Sequence, residues 1–160
     1  MDFTGTAGDG VELRHMKNQY QPNKVMIEIH VPDFEMVKEY YGKMGFEVKW
    51  ERKPEGFKGY LIMNMDQNFL CFWAGNEHVY EQFYFSQFPK DAPRGLGIEI
   101  VVLVDDVEKY YEKVKEFANV VEPLKVRPWG LKDFRTVDPF GYYLRFTTHH
   151  DIFDPSNAVK

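Results

Sequence analysis

Glu28 and His30 are the first residues of the chain whose types and spacing could do chemistry. They are two positions apart in a run that alternates apolar and polar residues, so both side chains should point to the same face of a strand. A carboxylate beside an imidazole can act as a general base or supply half of a metal site. The alternative is a hydrogen-bonded contact with a structural role only. The sequence leaves both interpretations of this pair open.

Other reactive side chains stand in contexts that favour structure. His149, His150 and Asp151 end the last predicted strand, but adjacent strand residues point to opposite faces, so the two imidazoles cannot easily bind one metal ion. A solvated terminus is the favoured interpretation there. Cys71 stands among aromatic and aliphatic residues and is predicted to be a small buried hydrophobic residue. The sequence has no glycine-rich phosphate loop and no Ser-His-Asp set.

Aromatic residues make up 17% of the chain, with 14 Phe, 10 Tyr and 3 Trp. Such side chains suit strands and bury large areas, which indicates a β-rich core. Five of them crowd a segment that has no regular pattern, namely Tyr80, Phe83, Tyr84, Phe85 and Phe88. Either these rings cover core beneath a long connection, or some of them line a ligand or dimer surface.

The composition of the chain excludes several classes of protein. A length of 160 residues, with 44% hydrophobic and 28% charged residues, fits one compact domain. The net charge of -5 argues against nucleic-acid binding and would rather attract a cationic partner. The single cysteine rules out an intrachain disulfide, and no stretch is apolar enough to span a bilayer or serve as a secretion signal. We therefore predict a cytoplasmic protein that binds neither nucleic acid nor membrane.

The elements that position these residues occur twice along the chain. The stretch from Val25 recurs in form from Ile98, and in each copy a strand leads through an Asp into a helix. Asp33 and Asp106 are the predicted helix caps, and Gly45 is the predicted end of the first helix. Three further strands follow each helix. The sequence therefore predicts an α+β fold of two tandem βαβββ units, each with one sheet face covered by its helix.

Periodicity and turn residues give the bounds of the predicted elements. Unit one has strands at 25–31, 46–51, 60–65 and 69–73 and a helix between Asp33 and Gly45. Unit two has a strand at 97–104, a helix at 106–117, a short strand near Val120 and two strands that flank a turn at 138–141. An N-terminal arm covers residues 1–22, a single domain residues 23–150 and a C-terminal tail residues 151–160. Within the domain, unit one spans about 23–75, a linker 76–95 and unit two about 96–150.

The ordered set of motifs resembles the vicinal oxygen chelate superfamily, which includes glyoxalases, extradiol dioxygenases and bleomycin resistance proteins. The resemblance covers residues 23–150 and rests on the doubled βαβββ order, the GFEV run from Gly45 and the closing stretch from Arg127 to Phe146. Within that stretch, a Pro-Trp-Gly run at 128–130 precedes the Asp-Pro-x-Gly turn at 138–141, which is similar to the bleomycin-resistance-like branch. The resemblance implies that the sheets form an open cup with the helices on its convex side.

The superfamily's enzymes hold a divalent metal in the cup, and the resemblance assigns four ligand positions. The first-strand positions carry Met26 and Glu99, and the last-strand position of unit two, usually Glu, carries Arg145. The corresponding face of unit one carries Phe69, Cys71 and Trp73, none of which is a suitable ligand. We therefore predict no metal and no cofactor. Glu99 and Arg145 are predicted either to form a charge pair in the cup or to sit at a solvated rim.

The favoured function is a binding protein that sequesters a planar, cationic drug or metabolite by stacking and charge. The candidate ligand-binding residues are the aromatics of 80–88 together with Glu28, His30, Trp50, Phe69, Trp73, Glu99, Trp129, Tyr143 and Arg145. Glu28 and Glu99 are expected to share a cavity flanked by Trp73 and Trp129. No catalytic residue is assigned. The alternative is a lyase, isomerase or dioxygenase with a divergent metal site built from Glu28, His30 and Glu99, and a third possibility is an unrelated metabolite as ligand.

A homodimer is also expected from the resemblance. Relatives usually work as dimers whose clefts use both chains, sometimes with an exchanged N-terminal arm. Residues 1–21 are long enough to reach a neighbouring chain.

Overall fold

The protein consists of two successive units with the same order of elements, seen in a computed structural model that describes residues 26–151. The predicted arm, and the predicted tail beyond residue 151, lie outside the described residues. Unit one contains β1 (Glu28–Val31), α1 (Phe34–Met44), β2 (Glu47–Arg52), β3 (Tyr60–Met65) and β4 (Asn68–Ala74). Unit two contains β5 (Glu99–Val104), α2 (Val107–Val114), β6 (Asn119–Val126), β7 (Lys132–Val137) and β8 (Tyr143–Thr148).

The two units build separate four-stranded sheets with the same topology. The strand orders are β1-β4-β3-β2 and β5-β8-β7-β6. In each sheet the first strand of the unit pairs in parallel with the last, and the other pairs are antiparallel. The prediction of an α+β fold with two tandem βαβββ units and open sheets is confirmed. Among the described residues, the first strand of each unit, β1 or β5, forms one edge of its sheet.

Both helices begin at the aspartates that the sequence indicates. The Asp33 side chain accepts hydrogen bonds from the backbone of Glu35 at 2.8 Å and of Met36 at 3.2 Å, which satisfies two of the free N–H groups at the start of α1. Gly45 ends α1 in the left-handed conformation, at φ 111°. Asp106 caps α2 by accepting from the backbone of Lys109 at 3.0 Å.

Two predicted bounds in unit two are wrong. Helix α2 ends at Val114 and not near Phe117, because the last residues form a tighter turn in which the Phe117 N–H donates to the Val114 carbonyl. Strand β6 covers eight residues, where only a short strand was expected. It tolerates Pro123 because β6 is an edge strand in the described part of the chain, where a missing backbone N–H costs no ladder hydrogen bond.

A single hydrophobic core lies between the helices and the inner sheet faces of both units. Polar contacts join the units across it: the Tyr41 hydroxyl donates to Asp138 Oδ2 at 2.8 Å and the Tyr110 hydroxyl to the Met44 carbonyl at 2.9 Å. Asn68 exchanges hydrogen bonds with the backbone of Leu103. The opposite face of each sheet therefore lies outside this shared core.

The outward sheet faces follow from the alternation along the strands. On β1, Ile29 and Val31 are buried, so Glu28 and His30 point outward. We call the outward face of the first sheet the unit-one face; it carries Glu28, His30, Tyr60, Ile62, Phe69, Cys71 and Trp73. The unit-two face carries Glu99, Val101, Asp133, Arg135, Tyr143 and Arg145. Neither helix among residues 26–151 is long and apolar enough to cross a membrane.

Candidate functional site

The strand register of the first sheet sets polar and aromatic side chains in rows on the unit-one face. Glu28 lies beside Cys71, and His30 beside Trp73, across the parallel pair of β1 and β4. The Trp73 indole donates to the Phe57 carbonyl at 3.0 Å, and its ring stacks on that of Phe57 with an interplanar angle of 8°. The Trp73 side chain is thus held at the end of the sheet by a hydrogen bond and a stacking contact.

A continuous series of ring contacts runs from the unit-one face into the linker. His30 is the centre of this series, because its imidazole contacts Trp73 at 4.9 Å and Phe85 at 4.4 Å between ring centroids. On the linker side, Tyr84 contacts Phe85 at 5.3 Å and Phe88 at 5.6 Å. The members of the ring series, in order, are Phe57, Trp73, His30, Phe85, Tyr84 and Phe88.

The linker lies against the edge of β1, and together they border a partly open cavity of about 340 Å³, which we call the linker cavity. Tyr142 closes one side, and its hydroxyl donates to the His30 carbonyl on the β1 edge at 2.9 Å. The aromatic linker residues in its wall are Tyr80, Tyr84, Phe85 and Phe88. The only buried residue of 77–88 is Val79. Of the two roles left open by the sequence, lining a surface fits these rings better than covering core.

Arg94 also lines the linker cavity, although no sequence pattern selected it as a candidate. Its guanidinium carbon lies 4.6 Å from the centroid of the Tyr80 ring. Among the described residues, no carboxylate forms an ion pair with Arg94. The sequence signal that could have identified Arg94 is its position as a single arginine beside a glycine in an aromatic linker. That pattern alone does not distinguish an arginine that lines a cavity from one that is exposed to solvent.

The surroundings of His30 favour the neutral form of its imidazole. Burial lowers the pKa of its imidazole, the nearby positive charge of Arg94 lowers it further, and Glu28 acts in the opposite direction. No hydrogen bond between the side chains of Glu28 and His30 is present in the described part of the chain. Packing between rings, and not the neighbouring carboxylate, positions the imidazole. The geometry therefore does not form the acid-base pair that the spacing allowed.

Cys71 is half-buried on the unit-one face, so the prediction of a buried residue is wrong. Strand alternation is the reason, because Leu70 and Phe72 point into the core and Cys71 points outward. Burial raises the pKa of the Cys71 thiol, a hydrogen bond with Tyr60 lowers it, and Glu28 raises it. A thiol with a raised pKa is a poor nucleophile at neutral pH.

The unit-two face carries a compact network of opposite charges. Glu99 accepts from Arg135 Nε at 2.9 Å and lies 3.7 Å from Arg145 Nε, so the charge pair expected between Glu99 and Arg145 is present. Arg135 also binds Glu122 and Asp133 at 3.2 and 3.1 Å. Hydrogen bonds from Arg127 and Lys125 lower the pKa of Glu122 to about 2. Three carboxylates and three arginines thus neutralise one another; they are Glu99, Glu122, Asp133, Arg127, Arg135 and Arg145.

The candidate residues therefore divide between two surfaces. Glu28 lines the linker cavity, whereas Glu99 lies in the other sheet and does not, so the expectation that the two share a cavity flanked by Trp73 and Trp129 is not met within the described residues. Tyr143 donates to Glu122 Oε1 at 3.3 Å within the charge network. Three candidates remain. Phe69 lies on the unit-one face, and the ring centroid of Trp50 lies 6.2 Å from that of Tyr60. Trp129 is half-buried in the turn between β6 and β7.

The side chains at the positions of the superfamily's metal ligands do not form a metal site. Met26 has no hard donor, and both carboxylate oxygens of Glu99 face arginines. Residues 26–151 contain no group of three or more His, Cys, Asp or Glu side chains that could hold a metal ion. His149 lies 3.5 Å from Asp105, and the His150 ring contacts its own strand at the Thr148 carbonyl, so these two imidazoles have different partners. The donors present do not fit a divalent metal.

Comparisons with known proteins agree with the fold. The sequence profile of the Glyoxalase/Bleomycin resistance protein/Dioxygenase superfamily matches residues 23–146. A bleomycin-binding protein complexed with bleomycin is 18% identical over 80% of this chain and 99% of that chain, with a TM-score of 0.55. A glyoxalase family protein from Enterococcus faecalis is 24% identical over 80% and 98% of the two chains, with a TM-score of 0.57.

A bleomycin resistance determinant encoded on the transposon Tn5 is 17% identical over 81% of this chain and 99% of that chain, with a TM-score of 0.59. A search of curated proteins found no match. At these identities the structural likeness establishes the fold and leaves the ligand open.

Proposed function

Because the chain belongs to the glyoxalase/bleomycin resistance protein/dioxygenase superfamily, we propose that it is a metal-free protein that binds and sequesters a planar, cationic small molecule. The ring series beside the linker cavity carries this proposal. It offers flat aromatic surfaces along one edge of a sheet, and a cavity of about 340 Å³ is within the range of small-molecule sites. Stacking on such rings favours planar ligands.

The preference for a cation rests on Glu28. This carboxylate lines the linker cavity, and no basic side chain of residues 26–151 forms an ion pair with it. The carboxylates of the unit-two face, by contrast, already have arginine partners. A cation stacked on an aromatic face beside an unpaired carboxylate gains from both contacts. Sequestration by stacking and charge requires no bond to break.

The proposed protein acts as a homodimer. Each sheet presents an open outward face, and a second copy could place its unit-two face opposite the unit-one face of the first. Glu99, Trp129, Tyr143 and Arg145 would then complete the cleft from the partner side. The predicted cytoplasmic location belongs to the same proposal. A metal-dependent enzyme is not favoured, because its three proposed ligands Glu28, His30 and Glu99 are divided between two sheets.

Titration of the purified protein with proflavine, a planar cation, and with bleomycin tests the proposal. We expect saturable quenching of tryptophan fluorescence by at least one of them. Phe85→Ala should weaken binding about three- to thirty-fold, because it removes one stacking wall. Phe83→Ala is the matched control, since Phe83 is 95% exposed in the same segment and does not line the cavity.

Two results would contradict the proposal. One is that neither proflavine nor bleomycin shows saturable binding. The other is elemental analysis that finds about one transition-metal ion per chain in the protein as purified, which would revive the lyase or dioxygenase interpretation.

A further inference from the structure

Arg94 places a positive charge in the aromatic linker cavity, and no carboxylate among the described residues forms an ion pair with it. Its guanidinium lies over the Tyr80 ring at 4.6 Å, and within residues 26–151 its side chain forms no hydrogen bond and no ion pair with a carboxylate. The arginines of the unit-two face, in contrast, each lie near one or more carboxylates. A half-buried guanidinium without a carboxylate keeps its five N–H donors available for a ligand.

The backbone holds Arg94 in place before any ligand arrives. Its N–H donates to the Phe140 carbonyl at 3.2 Å, which ties the linker to the turn between β7 and β8. Gly141 allows this contact, because a Cβ there would lie 2.9 Å from the Arg94 nitrogen. Gly95, at φ +71°, packs so closely on the Tyr142 ring that a Cβ would approach it to 2.5 Å. A guanidinium on a fixed backbone loses less entropy when it binds a partner.

The charge and hydrogen-bond geometry of the Arg94 guanidinium indicate which chemical group it would bind in a ligand. A guanidinium binds a carboxylate through two parallel hydrogen bonds, and the surrounding rings shield such a contact from water. One guanidinium balances one negative charge, which suits a carboxylate better than a doubly charged phosphate. Glu28 lines the same cavity and can face a cation. The cavity therefore offers one fixed charge of each sign beside flat aromatic walls.

We propose that the linker cavity recognises a planar zwitterion: an aromatic cation that also carries a carboxylate, which Arg94 binds. This inference rests on the proposed function and narrows its ligand class. It makes Arg94 a specificity residue, because an otherwise identical cation without the carboxylate loses the guanidinium contact.

A matched pair of ligands tests the inference on the full-length protein. N-methylnicotinate and N-methylnicotinamide share the same pyridinium ring and differ in carrying a carboxylate or a neutral amide. Direct calorimetric titration should show that the wild-type protein binds N-methylnicotinate about tenfold more tightly. Arg94→Gln should abolish this preference. Lys90→Gln should keep it, because Lys90 also lies over the Tyr80 ring, at 5.1 Å, but does not line the cavity.

The possible outcomes separate this inference from the proposed function. Equal affinities for the two pyridinium compounds in the wild type, or a preference that survives Arg94→Gln, would overturn the role of Arg94. If proflavine still binds in that case, the binding function stands without the carboxylate preference. If none of the compounds binds, both proposals fail. Circular dichroism and thermal unfolding of Arg94→Gln and Lys90→Gln show whether both variants remain folded.

Discussion

Glu28 and Glu99 are both glutamates on the first strand of their unit, but their electrostatic surroundings differ. Glu28 has no ion-pair partner in residues 26–151, whereas Glu99 lies between Arg135 and Arg145. An unpaired carboxylate attracts a cationic ligand, while a carboxylate already compensated by two guanidinium groups contributes little net field. Negative charge at the proposed site therefore depends mainly on Glu28.

Glu28→Gln should weaken the binding of proflavine by about tenfold, because it removes the unpaired charge and keeps the shape of the side chain. Glu99→Gln should weaken it less, since the charge of Glu99 is compensated. Calorimetric titration of both variants checks this order. A larger loss for Glu99→Gln would place the ligand on the unit-two face.

His30 makes stability depend on pH in a defined direction. Burial and Arg94 lower the pKa of its imidazole below the ordinary value of 6.5, so the unfolded chain binds the proton more readily than the folded one. The contribution of neutral His30 is complete above that ordinary value, is lost as the pH falls from there towards the lowered pKa, and changes no further below it. The contribution of His30 to the stability of the fold therefore decreases when the pH falls below neutrality.

His30→Phe should make the free energy of unfolding less dependent on pH between about pH 7 and pH 5, because it removes the titrating group and keeps a ring. Urea unfolding at several pH values measures the effect. The comparison variant is His149→Gln, which replaces an exposed histidine of the strand terminus. If His30→Phe leaves the pH dependence unchanged, His30 does not titrate as its surroundings indicate.

At the scale of elements, the doubled pattern made the fold predictable. Alternation on the first strands, aspartates before both helices and a glycine after the first are local signals, and the structure uses each of them. The site was harder to predict, because its contacts join segments that are distant in sequence. Arg135 was not predicted as a partner of Glu99, because no local sequence pattern links the two residues. Arg94 was not predicted either, because only the folded linker brings it close to Tyr80.

The cap of α1 gives a test of the local signals. Asp33→Ala removes a side chain that accepts two backbone hydrogen bonds, so it should lower the free energy of unfolding by about 1 kcal/mol. Asp33→Asn should retain most of the stability, because asparagine is also a good N-cap residue. Chemical denaturation of the two variants measures the difference. Equal losses in both would show that the charge of Asp33, and not its hydrogen bonding, stabilises the helix.

At the scale of the whole molecule, the two units share one core, and the outward face of each sheet lies outside that core. Each outward face is one side of an incomplete cup, and a second copy of the chain can supply the other side. This arrangement is the physical reason to expect the homodimer that the resemblance implies.

Sedimentation of the full-length protein at micromolar concentration should give twice the mass of one chain. A truncated protein that starts at Gln21 shows whether the N-terminal arm is needed, because a truncated dimer would exclude the arm as the cause of association. A full-length protein that sediments as a monomer would refute the dimer and with it the two-sided cleft.

The parallel pairing of β1 with β4 also constrains how the chain acquires its shape during synthesis. Glu28 pairs with Cys71 and Val31 with Ala74, so β1 has no partner strand until the end of unit one has left the ribosome. Once β4 is available, the β3–β4 hairpin closes a much shorter loop than the β1–β4 pair, so we expect the hairpin to form first. The same order recurs for β5 and β8. We therefore expect the first strand of each unit to join its sheet last, and the sheet edge that carries Glu28 and His30 to be completed at that step.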